Sequence, residues 1–346
     1  MTLLEKTLTA IKPRNKEIEE KILKRFEEFE GEQSLGKLKD MVAQYGSIRE
    51  TEFPEEPQRV LVVAAGDHGV AVEGVSAYPM EVTVMMVKNY LGPKGAGANA
   101  LANYAGATMK VADAGIHADM SDVEGLRHDK VAHGTKNLRH EPAMTEKECR
   151  QSMENGIRFV EEMIQEGYSV FIIGEMGIAN TTSAAIITAK YANLPAEVAT
   201  GKGSNISSER LALKTKIVAE ALEKYRDIPT SDGFSIMRHV GGLEFAYMTG
   251  VILGAAAHHA LTIVDGVNAT ACALVAHAMN PLCVEYVMAS HLSAEPAHIW
   301  ALKHLGLEAY VKLGLCLGEA TGALVQMGLF DQALSVYAEL TKEVAK

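Results

Sequence analysis

Cysteine is scarce in this chain: Cys149, Cys272, Cys283 and Cys316 are the whole set, and no two share a short paired spacing. That excludes a disulfide framework and a zinc-ligand pattern, and the thiols read as reduced side chains of a cytosolic protein. A surplus of basic residues is also missing. Lys and Arg number 33 against 44 Asp and Glu, a formal net charge of -11. A phosphate backbone is held by clustered cations, so nucleic-acid binding is not expected. No apolar run is long and clean enough for a membrane span. The region Met248 to Val275 comes nearest, but His258, His259, Asp265 and Asn268 interrupt it, and it reads as a buried helix followed by a buried strand. The N-terminal Met-Thr-Leu-Leu-Glu-Lys lacks a basic stretch followed by an apolar one. No secretory signal is therefore expected, and the expected location is cytoplasmic. Internal repeats and low-complexity segments are absent from the sequence.

What is present is ordinary globular material, 48% hydrophobic and 22% charged over 346 residues, ample for a core. From about Lys16 to Tyr45, apolar positions such as Ile18, Ile22, Leu23, Phe26 and Phe29 recur at helical spacing among Glu and Lys. A polar linker follows, from Ile48 to Gln58. Arg59 to Ala65 is then a short continuous apolar run, as a buried parallel strand requires. Similar runs recur at Thr108 to Val111, Ser169 to Ile173 and Ala260 to Val264, with helix-like segments such as Thr145 to Glu166 and Ser207 to Tyr225 between them. This alternation predicts an α/β fold, a parallel Rossmann-like sheet flanked by helices. Residues 1–50 are expected to form the N-terminal part of a small helical domain, and 57–325 the large α/β domain. Residues 330–346 are expected to form an amphipathic helix that packs with the small domain.

Ligands of open parallel sheets bind beyond the carboxyl ends of the strands. The segments there are rich in glycine and short polar residues: Gly66 to Pro79, Gly174 to Thr182 and Asp265 to Asn268. Gly177 permits close backbone approach to a ligand, and a helix starting near Asn180 would direct free N–H groups at an anion. The plain alternative is a strand–turn–helix with a threonine cap. Thr200 to Ser204 resembles a P-loop only superficially, because the upstream glycine and the Ser or Thr after Gly-Lys are missing. Lys214 on the following helix is a candidate point charge for a phosphate. The Gly92 to Ala98 glycines lack the dinucleotide fingerprint. Ser290 to His298 carries two histidines and a glutamate, but Pro296 breaks the helix that would unite them, so a polar substrate loop is expected there rather than a metal site. Glu319 is a lone carboxylate in the small, apolar segment Leu313 to Val325. A charge there needs a partner or a task, and burial would suit it to accept a proton near neutral pH.

Taken in order, these loops resemble the nicotinate-nucleotide:dimethylbenzimidazole phosphoribosyltransferase family. The resemblance is carried by Gly-Asp-His-Gly-Val at Gly66, Glu-Gly-Val-Ser at Glu73 and Gly-Glu-Met-Gly-Ile at Gly174 with its Asn-Thr-Thr. Gly-Gly-Leu-Glu at Gly241, Val-Asp-Gly at Val264, Ser-His-Leu-Ser-Ala-Glu-Pro at Ser290 and Leu-Gly-Glu-Ala-Thr-Gly-Ala at Leu317 complete it. It implies transfer of a phosphoribosyl group from nicotinate mononucleotide to an aromatic lower-ligand base of cobamides, without metal or other cofactor. By this similarity Glu319 is the general base. Glu175, Gly177, Asn180, Gly203, Lys214, Asp265 and Ser293 would bind phosphate or ribose, and Tyr78, Met86, Met176 and Leu317 would form the aglycone pocket. The family also implies a homodimer, with a heterodimer with a paralogue as the other possibility.

The chain departs from the family pattern at Met80, Met85, Cys316 and Ala320 and in the Gly201 loop. The expected aglycone pocket, with Met86 and Met176, suits a phenolic aglycone such as phenol or p-cresol, as well as or in place of a benzimidazole. Two other functions compete. A nucleotide-dependent dehydrogenase would need a dinucleotide fingerprint where Gly-Asp-His-Gly stands. A catalytically weak paralogue, serving as one subunit of a pair, would be supported by loss of Glu319, which is present.

Overall fold

A computed structural model describes residues 1–30 and 34–342. At its centre is a sheet of six parallel strands: β1 (Arg59–Gly66), β2 (Thr108–Gly115), β3 (Leu126–His128), β4 (Val170–Met176), β5 (Leu261–Val264) and β6 (Val287–Ala289). Their order is β3-β2-β1-β4-β5-β6, the Rossmann order, which reverses direction between β1 and β4. Every residue of β1 and β5 is buried, which explains why both read as unbroken apolar runs. Ala64 pairs with Glu175 and Ala65 with Met176, so the loops after β1 and β4 leave the sheet side by side.

The strands β3 and β6 were not expected. Each is three residues long, too short for a periodic signal, and β3 is a half-exposed edge. The helix Leu3–Ala10 was also not expected. It is fixed by Thr2, whose hydroxyl accepts from the Glu5 N–H while Glu5 reaches back to the Thr2 N–H. The region Lys16 to Tyr45 holds two helices, Lys16–Glu30 and Lys37–Arg49, and positions 31–33 between them lie outside the described residues. Helices Glu146–Gln165 and Ser208–Lys224 match the sequence reading and begin at Thr145 and Ser207, each side chain capping the third residue on.

The largest difference lies at the C-terminus. One continuous helix, Thr321–Thr341, covers the boundary expected between 325 and 330, and positions 343–346 lie outside the described residues. Its first turn, Thr-Gly-Ala, is buried, and small residues carry no amphipathic signature there. Aromatic rings join the helices Lys16–Glu30 and Lys37–Arg49 to the last helix. The Phe26 and Tyr337 rings lie 4.9 Å apart, and Tyr45 meets Phe330 edge-on at 5.3 Å. These contacts continue into the apolar core around the sheet. Among the described residues no helix is long and apolar enough to cross a membrane.

Candidate active site

A cavity of about 620 Å³ opens beyond the carboxyl ends of β4, β5 and β6, walled on one side by residues 75–86 and on another by 316–319. This size suits a small-molecule ligand. Its lining includes Glu175, Gly177, Asn180, Gly203, Asp265, Ser293 and Glu319 of the expected polar set. It also includes Tyr78, Met86, Met176 and Leu317 of the expected aglycone pocket. Met86 and Met176 are half-buried, whereas Tyr78 (56% exposed) and Leu317 (62% exposed) stand at the rim.

Glu319 sits in an unusual turn. Gly318, Glu319 and Ala320 all have positive φ, at 84°, 58° and 62°. Two such consecutive non-glycine residues are costly and persist only where surroundings enforce them. Here Gly174 of β4 lets the turn lie directly on the strand: a Cβ at Gly174 would come within 2.8 Å of the Ala320 nitrogen. The turn leads into the helix Thr321–Thr341, with the Gly318 carbonyl accepting from the Thr321 N–H and hydroxyl. Glu319 is 7% exposed. Burial raises its proton affinity, the Tyr90 hydroxyl offsets part of that rise, and the Asp265 charge adds to it. Its Oε2 is buried without a hydrogen-bond partner.

Glu175 is the second buried carboxyl. Asn268 Nδ2 donates to its Oε1 at 3.0 Å and Asn180 Nδ2 to its Oε2. Burial outweighs these donors and pushes its pKa up to about 8, with the Glu244 and Asp265 charges adding to the rise. At neutral pH Glu175 therefore carries a proton, and the loop around it does not repel an anion. The folded state then holds a proton that the unfolded chain, with its ordinary value of 4.5, has lost. This contribution to stability is fully present below about 4.5 and disappears as pH rises through about 8. Glu175→Gln should flatten that decline, which runs at roughly 1.4 kcal/mol per pH unit for one proton. Denaturant melts of both proteins from pH 5 to 9 test this, and parallel curves would refute it.

The corner nearest the helix Asn180–Ala192 has a form that suits an anion. The helix N-terminus opens onto the cavity beside Gly177 and Thr181, with Ala179 in the left-handed conformation at φ 74°. Gly203 and Ser204 face it, and the Ser204 hydroxyl also accepts from the Ala77 N–H at 3.0 Å. Lys214 does not line the cavity as expected. It is 1% exposed, one layer behind the wall, and its Nζ donates to Thr181 Oγ1 at 2.8 Å and the Gly201 carbonyl at 3.0 Å. Its aliphatic stem brings it into the core, and burial lowers its pKa to about 8 against the charge of Glu295. Glu295 in turn accepts from the Gly203 N–H at 2.9 Å. Lys214 and Glu295 thus brace the Gly201–Ser204 turn from two sides.

Asp265 is largely committed to the fold. Its Oδ1 accepts from the Ala323 N–H at 3.0 Å, in the first turn of the long helix, and lies 3.6 Å from His291 Nδ1. Burial raises its proton affinity and the adjacent His291 opposes that rise. Ser293 lines the wall, its hydroxyl accepting from the Glu295 N–H at 3.3 Å. His298 is turned away, accepting from the Ser293 N–H and meeting Thr270 Oγ1. Asn268, His291, Thr181 and Glu295 line the site without having been singled out as site residues. All lie in or beside the loops quoted from the sequence, and nothing local distinguishes them from ordinary loop polar groups.

Beneath the cavity floor, His68 Nε2 and Glu244 Oε1 lie 2.6 Å apart, both fully buried, and His68 Nδ1 meets Ser183 Oγ at 3.1 Å. This contact joins the loop after β1 to the Gly-Gly-Leu-Glu segment, two motifs far apart in sequence.

The profile of a family described as phosphoribosyltransferase matches residues 11–346. A protein of Desulforamulus reducens named nicotinate-nucleotide–dimethylbenzimidazole phosphoribosyltransferase is 39% identical over 342 residues, covering 98% of this chain and 97% of the relative. A protein of the same name from Geobacter sulfurreducens is 40% identical over 307 residues, covering 89% of this chain and 87% of the relative. The crystal structure of a protein so named from Thermus thermophilus superposes with a TM-score of 0.87 at 35% identity, covering 93% of this chain and 96% of that one.

Proposed function

Because this chain belongs to the nicotinate-nucleotide–dimethylbenzimidazole phosphoribosyltransferase family, we propose that it moves the 5-phosphoribosyl group of nicotinate mononucleotide to an aromatic base of cobamides, with Glu319 as general base. The observation that carries this is a buried carboxyl of raised proton affinity in a cavity that also holds Met86, Met176 and the helix N-terminus at Asn180. The 5′-phosphate takes the corner at Gly177, Thr181 and Gly203, while Asn180, Asp265 and Ser293 offer polar contacts to the ribose. Lys214 acts on the phosphate from behind the turn, as a buried positive charge. The aglycone lies against Met86, Met176, Tyr78 and Leu317. Glu319 removes its N–H or O–H proton as the freed electron pair forms the bond to C1′. The C1′–N bond to nicotinate breaks, and its pair returns to the pyridine nitrogen. The products are an α-riboside 5′-phosphate and nicotinate. Incubation with nicotinate mononucleotide and dimethylbenzimidazole should release both in equal amounts, and absence of the riboside with either a benzimidazole or a phenol would overturn the reading.

A phenolic aglycone is the second reading, and the composition of the pocket favours it. Methionine sulfur and aliphatic groups give a ring dispersion contacts and little hydrogen bonding beyond Glu319. A phenol has one acidic O–H and no second ring nitrogen to satisfy. Competition between phenol and dimethylbenzimidazole should yield the phenyl riboside in at least comparable amount; the benzimidazole product alone would eliminate this reading. The working form is a dimer, either of two copies or with a paralogue. The exposed Tyr78 and Leu317 at the rim supply apolar surface for such a contact. Size-exclusion chromatography of the chain alone, with activity measured on the eluted peak, separates the two forms.

A further inference from the structure

Tyr90 lies in the last turn of the helix Glu81–Leu91, its ring 1% exposed. Its carbonyl accepts from Asn99 Nδ2 at 3.0 Å, which ties it to the next helix, Gly97–Tyr104. That helix abuts the Glu319 turn: a Cβ at Gly97 would lie 3.6 Å from Leu317 Cδ2 and 4.0 Å from Thr321 Cγ2. Tyr90 is thus anchored beside the helix that meets the Glu319 turn, and its hydroxyl acts on the Glu319 carboxyl, but unlike Glu319 it does not line the cavity. Both the hydroxyl and Glu319 Oε2 are buried, and each stands without a hydrogen-bond partner. An unpaired buried donor and an unpaired buried acceptor each cost free energy, and a hydrogen bond between them would satisfy both.

We propose that Tyr90 is a positioning residue for Glu319, its hydroxyl donating to Oε2 so that the other carboxylate oxygen is held toward the aglycone. The inference rests on the reading of Glu319 as the base. Tyr90 itself stays protonated, because burial and the nearby Glu319 charge raise its proton affinity. It remains a donor while Glu319 is charged. When Glu319 has taken the proton, its O–H can donate to the Tyr90 oxygen, so the pair is satisfied in both states. The other titratable groups facing this pair are Asp265, whose charge acts on Glu319, and Glu175. His291 faces Asp265.

Tyr90→Phe and Tyr90→Leu in the full chain test the proposal, alongside Glu319→Gln. Tyr90→Phe removes only the hydroxyl. It should lower kcat about ten-fold, the scale of one hydrogen bond to a charged group, and leave KM for nicotinate mononucleotide unchanged. The acidic limb of its kcat/KM profile should move to higher pH, because the charged carboxylate has lost a donor. A wild-type rate and pH profile for Tyr90→Phe, with only Tyr90→Leu impaired, would make Tyr90 a packing residue and overturn the proposal. Full activity of Glu319→Gln would instead remove the base reading itself. An inactive Glu319→Gln beside an unaffected Tyr90→Phe would remove this inference alone.

Discussion

Glu319→Gln is expected to lower kcat by about 10² to 10⁴, the usual contribution of a positioned general base. Gln keeps the shape of the side chain and its carbonyl oxygen, but it cannot accept the aglycone's proton. KM for nicotinate mononucleotide should change little, since the proposed phosphate contacts at Gly177 and Gly203 do not involve Glu319. The fold should tolerate the exchange, because a buried carboxyl whose charge is disfavoured becomes a neutral amide. Single-turnover release of nicotinate, with a thermal melt as control, checks both statements. Retained turnover would remove Glu319 from the role of base. The raised proton affinity adds a pH expectation: Glu319 works only when deprotonated, so wild-type activity should fall on the acid side at a pH above the ordinary carboxylate range of about 4.

Gly177→Ala should be nearly as damaging, by a different route. The new Cβ would stand 2.3 Å from the Gly66 carbonyl oxygen and 3.2 Å from Glu244 Oε1. Gly66 ends β1 and Glu244 is held by His68, so no flexible side-chain end is available to yield. The loops after β1 and β4 must separate, which overpacking data place at about 1–3 kcal/mol. Because Glu175 and Asn180 flank Gly177, the displacement reaches the site, and a shift of about 1 Å can cost about 100-fold in rate. Both kcat/KM and the melting temperature should fall. Gly328→Ala is the matched control: it lies in the helix Thr321–Thr341 with nothing within 4 Å of the new Cβ. It should be neutral or slightly stabilising, as expected for Ala over Gly inside a helix. Equal behaviour of the two variants would contradict the close approach at Gly177.

Much of this architecture is written locally along the chain. Buried parallel strands such as β1 and β5 need apolar side chains on both faces, so they read as runs. Capped helices such as Glu146–Gln165 announce their own starts. The strands β3 and β6 do not, because three residues hold no period. The N-terminal half of the last helix is equally silent, since its threonine, glycine and alanine are chosen by close packing and not by amphipathicity.

The site divides along the same line. Its loops were legible because ligands of parallel sheets gather where the strands end, and Glu319 was conspicuous as a charge among small residues. Lys214 was misplaced by one layer, because a lysine bracing a turn from behind and one facing a ligand have the same sequence context. Tyr90, Asn268 and His291 were not singled out as site residues, for a related reason. Each matters through a neighbour distant in the chain: Glu319, Glu175 and Asp265 respectively.

By itself, then, the sequence determined the α/β class, the family and the loops that hold the chemistry, because hydrophobic period and ordered motifs are properties of short segments. Tertiary structure alone decided the raised proton affinity of Glu175, the withdrawal of Lys214 and the influence of Tyr90 on Glu319. Desolvation and hydrogen-bond geometry depend on what packs around a group in space, and no short segment carries that information.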